Sequence, residues 1–374
     1  MSLLDRAIAR QFLFNALTLL GILFALIVII DFSLNFDEYL LIASALAKEQ
    51  QQGGTVRVGA LTAWIVFDLW WPRLFQLYGY LIGLVLVAAM GFTSAQMSKN
   101  RELVAILAGG MSLWRVAKPM LIVSVGFCVI LSLNREVILP ELAPMLTRDK
   151  KQAGQRDLQA LGQPLCTDGK GNLFFIRSFD PETGIVQGLY SWERDAKGLL
   201  TRRISASSAT YRDGAWILTD GAVQTRVQGS AAATTITRIE TDLDPTTLKL
   251  RRFEGFGNNL STVQLASLVS RYKAQPKPPT LRIDQLSRVR WSRVSDVVCI
   301  MLTMVICLPF FLRKEPGNML VQALCCAPVA LAALVLSVVG SGASVLGVPP
   351  ELSAFIPVMV LTPIAIAAGS SVRS

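Results

Sequence analysis

The sequence predicts an α-helical membrane protein with six transmembrane helices and an all-β domain, of sandwich or jelly-roll type, inserted between helices 3 and 4. Three observations carry this. Apolar runs of spanning length are segregated from polar sequence, short β-type runs fill the long polar middle, and basic residues are distributed unequally between the connections. The 374 residues are 52% hydrophobic and 17% charged, with a mean hydropathy of +0.48. Soluble domains carry roughly a quarter charged residues. The composition therefore excludes an ordinary cytosolic enzyme and a disordered chain. In so apolar a chain, the net charge of +10 points to topology and lipid headgroups before nucleic acid.

A helix needs about 20 apolar residues to cross a bilayer. Six runs qualify: 12–30, 74–96, 116–133, 297–312, 319–339 and 352–368. The fourth is short but extends backwards, and the last three are separated only by tight connections, 313–318 and 340–351. The first run competes with a signal peptide, because Ser44-Ala45-Leu46-Ala47 mimics a cleavage site. It is longer than a usual signal core, and Asp31, Asp37 and Glu38 intervene, so a retained helix is expected. Basic residues set the orientation. One side's short loops hold nine: Arg6, Arg10, Lys99, Arg101, Arg115, Lys118, Arg313, Lys314 and Arg373. The other side, read as loops over 34–73 and 340–351, holds three: Lys48, Arg57 and Arg73. Both termini are predicted cytoplasmic, and the middle segment outside.

That middle segment, 135–290, carries 23 Lys+Arg and 16 Asp+Glu. Runs such as Leu173–Ile176, Gly188–Trp192, Ala209–Tyr211, Ala215–Leu218 and Thr234–Thr237 alternate with the turn signals Asp168-Gly169, Asp180-Pro181, Lys197-Gly198, Asp213-Gly214 and Asp220-Gly221. Residues 261–273 read as a helix with Ser261 as N-cap, followed by a proline-rich linker at 275–279. The boundaries expected are 1–134 for helices 1–3, 135–280 for the β domain and 281–374 for helices 4–6. Arg282, Arg288, Arg290 and Arg293 lead into the fourth helix at headgroup level.

Few residues suggest chemistry. There is no histidine, the commonest general base and metal ligand. The six cysteines form no paired C-x-x-C set, so they read as small buried hydrophobes rather than a zinc site or disulfide framework. Gly169-Lys170-Gly171 lacks the remainder of a P-loop, and no G-x-S-x-G or H-E-x-x-H occurs. No metal, cofactor or catalytic residue is expected. Asp31 and Asp296 lie near span ends, where a charge is as often interfacial as functional. Residues 98–112, on the cytoplasmic side, read as an amphipathic helix with Leu103, Ile106 and Leu107 on one face and Gly109-Gly110 at its end. Such a piece is a membrane anchor, a re-entrant segment or a docking element.

This segment resembles the coupling helix of the lipopolysaccharide-export permeases of the LptF/LptG family, and the likeness extends over nearly the whole chain. Leu4-Asp5-Arg6 resembles the opening of LptG-type rather than LptF-type members. Arg101-Glu102-Leu103 and Gly109 match the coupling pattern, and Glu136, Val137 and Pro140 the exit from the third span. Ala209-x-Tyr211, with Gly214-x-Trp216-x-Leu218, resembles strands of the family's periplasmic domain, and Leu260-Ser261 through Tyr272 its closing helix. Trp291-Ser292-Arg293 and Gly347-Val348-Pro349-Pro350 resemble the entries to spans four and six.

The resemblance implies a permease subunit in the bacterial inner membrane with a periplasmic jelly-roll-like domain. It implies a second LptF/LptG-like subunit, a cytoplasmic LptB-type ATPase dimer, an LptC-like bitopic protein and an LptA-like periplasmic bridge as partners, and lipopolysaccharide as cargo. It also implies that Glu102 makes the main polar contact to the ATPase, beside Arg101 and Gly109, with Leu103, Ile106 and Leu107 filling a cleft. An apolar groove then receives acyl chains, with Phe174, Ile176, Leu189, Tyr190, Trp216 and Leu218 as candidate lining residues. Strand alternation allows about half of them to face inward. Asp31, Arg73 and Arg293 are the headgroup or cavity candidates; Asp31 stands where LptG-type members tend to place a basic residue, which leaves a related glycolipid open as cargo. The alternative is a membrane-anchored scaffold or mechanotransmission protein that moves no lipid. An intramembrane enzyme is disfavoured for want of catalytic residues.

Overall fold

The computed structural model describes residues 3–49, 55–146, 161–168, 171–180, 183–194, 199–212, 214–225, 233–241, 243–245, 248, 259–274, 280–312, 319–343 and 348–371. The 275–279 linker, the 313–318 connection, Lys197, Gly347 and Arg373 lie outside the described residues. The chain forms two compact units, Met1–Ala153 with Ser287–Ser374, and Gly154–Leu286.

The first unit is helical. Its elements are α1 (Leu3–Leu34), α2 (Phe36–Glu49), α3 (Thr55–Lys99), α4 (Glu102–Ala108), α5 (Leu113–Leu133) and α6 (Leu139–Leu146). After the β unit and its own helix α7 (Thr262–Lys273) come α8 (Thr280–Phe311), α9 (Met319–Gly342), α10 (Pro350–Ser353) and α11 (Ile356–Ser371). Among the described residues six segments are long and apolar enough to cross a membrane: Leu3–Leu34, Arg57–Lys99, Leu113–Ala143, Thr280–Phe311, Val321–Gly342 and Pro350–Ser371. All six apolar runs of the sequence fall within these segments, apart from the first two residues of the fifth and the last of the fourth. Phe12, Ile82, Leu86, Met90, Met120, Leu131, Met304 and Leu308 form the central core. Leu17, Ile29, Val335, Val338 and Ile366 are exposed, as an apolar solvent requires. Close approach is made at glycines: a Cβ on Gly83 would lie 2.8 Å from Leu334, and one on Gly91 2.9 Å from the Phe311 ring.

Two connections differ from the sequence reading. Residues 34–73, read as a loop, are mostly helical. Tyr39 and Ala43 of α2 pack on Ile65 and Leu69 of α3, forming a small core of their own. The polar residues among them, Asp37, Glu38 and Asp68, break the hydropathy signal without breaking the 3.6-residue periodicity. α3 thereby reaches 45 residues, about 68 Å at 1.5 Å per residue, twice the hydrocarbon thickness of about 30 Å. The third span does not end at Leu133 either. It passes through one π turn, Asn134–Ile138, into α6. There the Asn134 amide donates to the Phe75 carbonyl at 2.8 Å, tying the turn to α3.

The second unit is built on an antiparallel sheet of β1 (Leu161–Thr167), β2 (Leu173–Phe179), β3 (Ile185–Arg194), β4 (Leu200–Arg212), β5 (Ala215–Thr219), β6 (Ala222–Thr225), β7 (Ala233–Thr235) and β8 (Arg238–Glu240). The main order is β1-β2-β3-β4-β5-β8, with β6 pairing β4 and β7. β4 changes partner midway: residues 202–205 pair β6 and residues 208–212 pair β5. The alternation of buried residues slips at the same level. Phe174 and Ile176 are followed by Phe179, Leu189 is preceded by Val186, and Ile204 and Ala206 are followed by Ala209, all buried. Gly188, at φ 67°, sits on this line, and a Cβ there would meet the Arg177 Cβ at 2.9 Å. A positive-φ glycine lets the strand change phase while keeping one apolar face. α7 begins as its sequence indicates: Ser261 and Gln264 form a reciprocal capping box.

Gly188→Ala is expected to weaken this unit by about 1–3 kcal/mol, the strain of a non-glycine residue at this dihedral. Hydrogen exchange of the full-length protein in detergent should show faster exchange in β2 and β3, with α5 and α8 unchanged.

Candidate functional site

Four charged side chains of the helical unit meet between two of its spans. The π turn brings Arg135 and Glu136, adjacent in sequence, to the same side of α8. Arg135 donates to Asp296 at 3.0 Å, and Arg293 donates to Glu136 at 2.9 Å. The Ser337 hydroxyl of α9 donates to the other Asp296 oxygen at 3.4 Å. Arg293 is 9% exposed. The i, i+3 spacing of Arg293 and Asp296 puts both on one face of α8, so two oppositely polarised pairs clasp α5 to α8. Sequence reasoning named Arg293 and Asp296 separately. The joining signal was the adjacent Arg135-Glu136 at the end of an apolar run, opposite Arg-x-x-Asp at the start of another.

Asp31 and Arg73 belong to a second cluster. The Asp31 carboxylate accepts from the Tyr39 hydroxyl at 2.7 Å, the Trp70 indole N–H at 3.0 Å and the Asn35 amide at 2.9 Å. Arg73 lies 5.8 Å from the centroid of the Trp70 ring. Burial, and then the hydrogen bond to Asp31, push the Tyr39 phenol up to about 12, so it stays a donor at neutral pH. The acidic residue at this position is thus satisfied by three donors and fixes the turn from α1 into α2.

The connection between α3 and α5 is more compact than expected. The helix occupies Glu102–Ala108, seven residues rather than the fifteen of 98–112. Arg101 precedes it in the left-handed region, φ 57°, which lets the chain leave α3 and start α4 without a long loop. Leu103 and Ile106 are buried in the chain's own core, and Leu107 is half-buried against it. Burial of the apolar stripe leaves Glu102, Val104, Ala105, Ala108 and Gly109 exposed. Among these Glu102 is the charged residue, held by the Asn100 amide at 3.2 Å. Leu103 and Ile106, expected to face outward, instead seat the helix.

The six groove candidates divide by face. Phe174, Ile176, Leu189, Trp216 and Leu218 are buried in one cluster with Phe179, Val186, Ile204 and Val223. The Trp216 indole donates to the Leu243 carbonyl at 2.8 Å. Tyr190 faces the other way, beside Phe175 and Trp192. None of the six cysteines is in a disulfide, and five of them are buried. Among the described residues no group of His, Cys, Asp or Glu is arranged to hold a metal ion.

Six apolar helices, paired charges within them and a β-sheet unit between the third and fourth in sequence define a multi-pass membrane protein. The family model for lipopolysaccharide export system permease LptF/LptG matches residues 55–370, and the chain belongs to that family. Its members are permease components of lipopolysaccharide export rather than enzymes. No curated protein matches the chain.

Two substitutions separate the roles of these residues. Asp296→Ala leaves Arg135 unpaired among apolar helices and should cost about 3–5 kcal/mol, read as a lowered melting temperature in detergent. The swap Arg135→Asp with Asp296→Arg should recover part of the loss. Leu103→Ala should cost about 2–5 kcal/mol as a core truncation, whereas Glu102→Ala should leave the melting temperature unchanged.

Proposed function

We propose that this chain is an LptG-like permease subunit of an ATP-driven complex that extracts lipopolysaccharide from the inner membrane and passes it to a periplasmic bridge. In this reading both termini and α4 are cytoplasmic, and the β unit is a periplasmic jelly-roll half. A second LptF/LptG-like subunit, an LptB-type ATPase dimer and an LptC-like protein complete the assembly. Membership of the family is the observation that carries the proposal. The basic asymmetry of nine to three supports the orientation.

Exposing an acyl chain of about fourteen carbons to water costs roughly 10 kcal/mol at about 0.8 kcal/mol per methylene. A carrier of such chains needs a continuous apolar surface. In this reading the acyl chains enter the apolar layer of Phe174, Ile176, Leu189, Trp216 and Leu218, side chains that pack in one cluster. Asp31, Arg73 and Arg293 line the headgroup side of the cavity. The ATPase docks on the outward side of α4, with Glu102 as the polar contact, Ala105 and Ala108 as the close-approach surface, and Arg101 and Gly109 at its ends.

Glu102→Lys is expected to weaken association with the ATPase at least 30-fold, since breaking a charged interface contact costs about 2–5 kcal/mol and about 1.4 kcal/mol is tenfold. Membrane insertion should be normal. Co-purification with the ATPase, together with mass spectrometry of bound glycolipid, is the test. Unchanged association and undiminished lipid release in the variant would refute the docking assignment. A complex that holds no glycolipid in any state would favour the scaffold alternative.

Orientation is tested by cysteine labelling of intact cells above the native-cysteine background. A cysteine replacing Thr201 should react with an impermeant maleimide, and one replacing Lys99 should not.

A further inference from the structure

The face of the sheet opposite the apolar cluster carries its own arrangement. Phe174, Ile176, Leu189, Ser191, Ile204 and Ala206 are buried on the core side, so Phe175, Tyr190, Trp192 and Arg203 project from the other. Phe175 and Tyr190 are direct cross-strand partners, with ring centroids 6.1 Å apart and 39° between planes. The Trp192 ring lies 6.4 Å from Tyr190 and only 23° from parallel to it. Arg203, the cross-strand partner of Trp192, places its guanidinium 5.8 Å from the Tyr190 ring. Arg177 is exposed two residues beyond Phe175.

The three rings are half-buried, and together they form a shelf of gently inclined aromatic faces. Strands β2, β3 and β4 turn no carboxylate toward this shelf among the described residues; Glu193 pairs with Arg202 at 3.3 Å. Cross-strand packing accounts for the pairing of the rings, but not for a positive, carboxylate-free border. The electron-rich ring faces suit the polarised C–H faces of a pyranose. A guanidinium fork suits a carboxylate or phosphate by paired hydrogen bonds.

We propose that the shelf of Phe175, Tyr190, Trp192 and Arg203 binds an acidic saccharide, with sugar faces on the rings and an anionic substituent at Arg203. This rests on the lipopolysaccharide reading and assigns the sugar portion of the cargo a surface opposite to that for its acyl chains. A membrane surface is the lesser fit, because insertion uses protruding apolar side chains rather than half-buried ring faces.

The probe is a deacylated, phosphorylated core oligosaccharide, added to the full-length protein in detergent. A neutral dextran oligosaccharide is the control. Saturation transfer from aromatic protons of the unaltered protein should reach the sugar C–H groups of the acidic probe. Trp192→Leu and Arg203→Gln should each weaken its binding about tenfold, the loss of one charge-assisted or stacking contact. The exposed Arg203 site needs no repacking, so that variant reports even if Trp192→Leu perturbs the fold. Absent transfer, equal binding by the Arg203 variant, or loss of binding to phosphatidylglycerol vesicles alone would each overturn the proposal. Glycolipid release is measured in parallel with the unaltered protein. Release without saccharide binding removes the shelf and keeps the permease reading, whereas no release removes the permease reading itself.

Discussion

Charges in an apolar solvent persist only when paired, and the helical unit depends on that constraint where α5 meets α8. Arg135, Glu136, Arg293 and Asp296 neutralise one another in two bridges. Neither bridge is available to a regular α-helix ending at Leu133, because the π turn sets the direction of Arg135 and Glu136. The same turn is fixed to α3 by Asn134. Backbone irregularity, charge pairing and a side-chain-to-backbone hydrogen bond are therefore one feature. The turn lies within an apolar segment, Leu113–Ala143, where backbone groups have to find their partners inside the protein.

The parts of the fold legible in the sequence are those governed by a single strong signal. Twenty apolar residues announce a span, and Ser261 with Gln264 announces the start of α7. β4 was visible only at Ala209–Tyr211. Its first half, Leu200–Ser208, reads as arginine and serine with small inward residues at Ile204 and Ala206, and its strand character comes from neighbours on both sides. α2 and the early part of α3 were read as loop because their burial is mutual and modest: Tyr39 and Ala43 cover Ile65 and Leu69, and acidic residues occupy the remaining face. Sites were less legible than spans. The sequence reading sets Glu102, Leu103, Ile106 and Leu107 together against a partner, but the direction of Leu103 and Ile106 depends on α3 and α5, which no local period encodes.

Asp31 illustrates how one residue type takes its meaning from partners. By sequence it departs from the basic residue expected there. In the structure three donors converge on its carboxylate, and the nearby Arg73 is held at Trp70. The anionic group thus organises a helical hairpin, while a positive charge remains within the same cluster. The sheet shows the corresponding economy. One strand alternation serves two surfaces, an apolar one through Phe174, Ile176 and Leu189 and an aromatic, basic one through Phe175, Tyr190 and Arg203.

The length of α3 has a mechanical consequence. It runs without a break from the hairpin with α2 to Lys99, three residues before α4 begins. Whatever pushes on α4 acts at one end of a stiff rod about 68 Å long. A tilt of about 5° about a pivot at that end sweeps the far tip by about 6 Å, roughly one helical turn. Pro72, inside the rod, removes one backbone hydrogen bond and is the point of least bending stiffness. It lies beside Arg73 and two residues from Trp70, so flexure there bears directly on the Asp31 cluster. Leverage along one helix can thus turn a small rotation at one end of α3 into a larger displacement at the other.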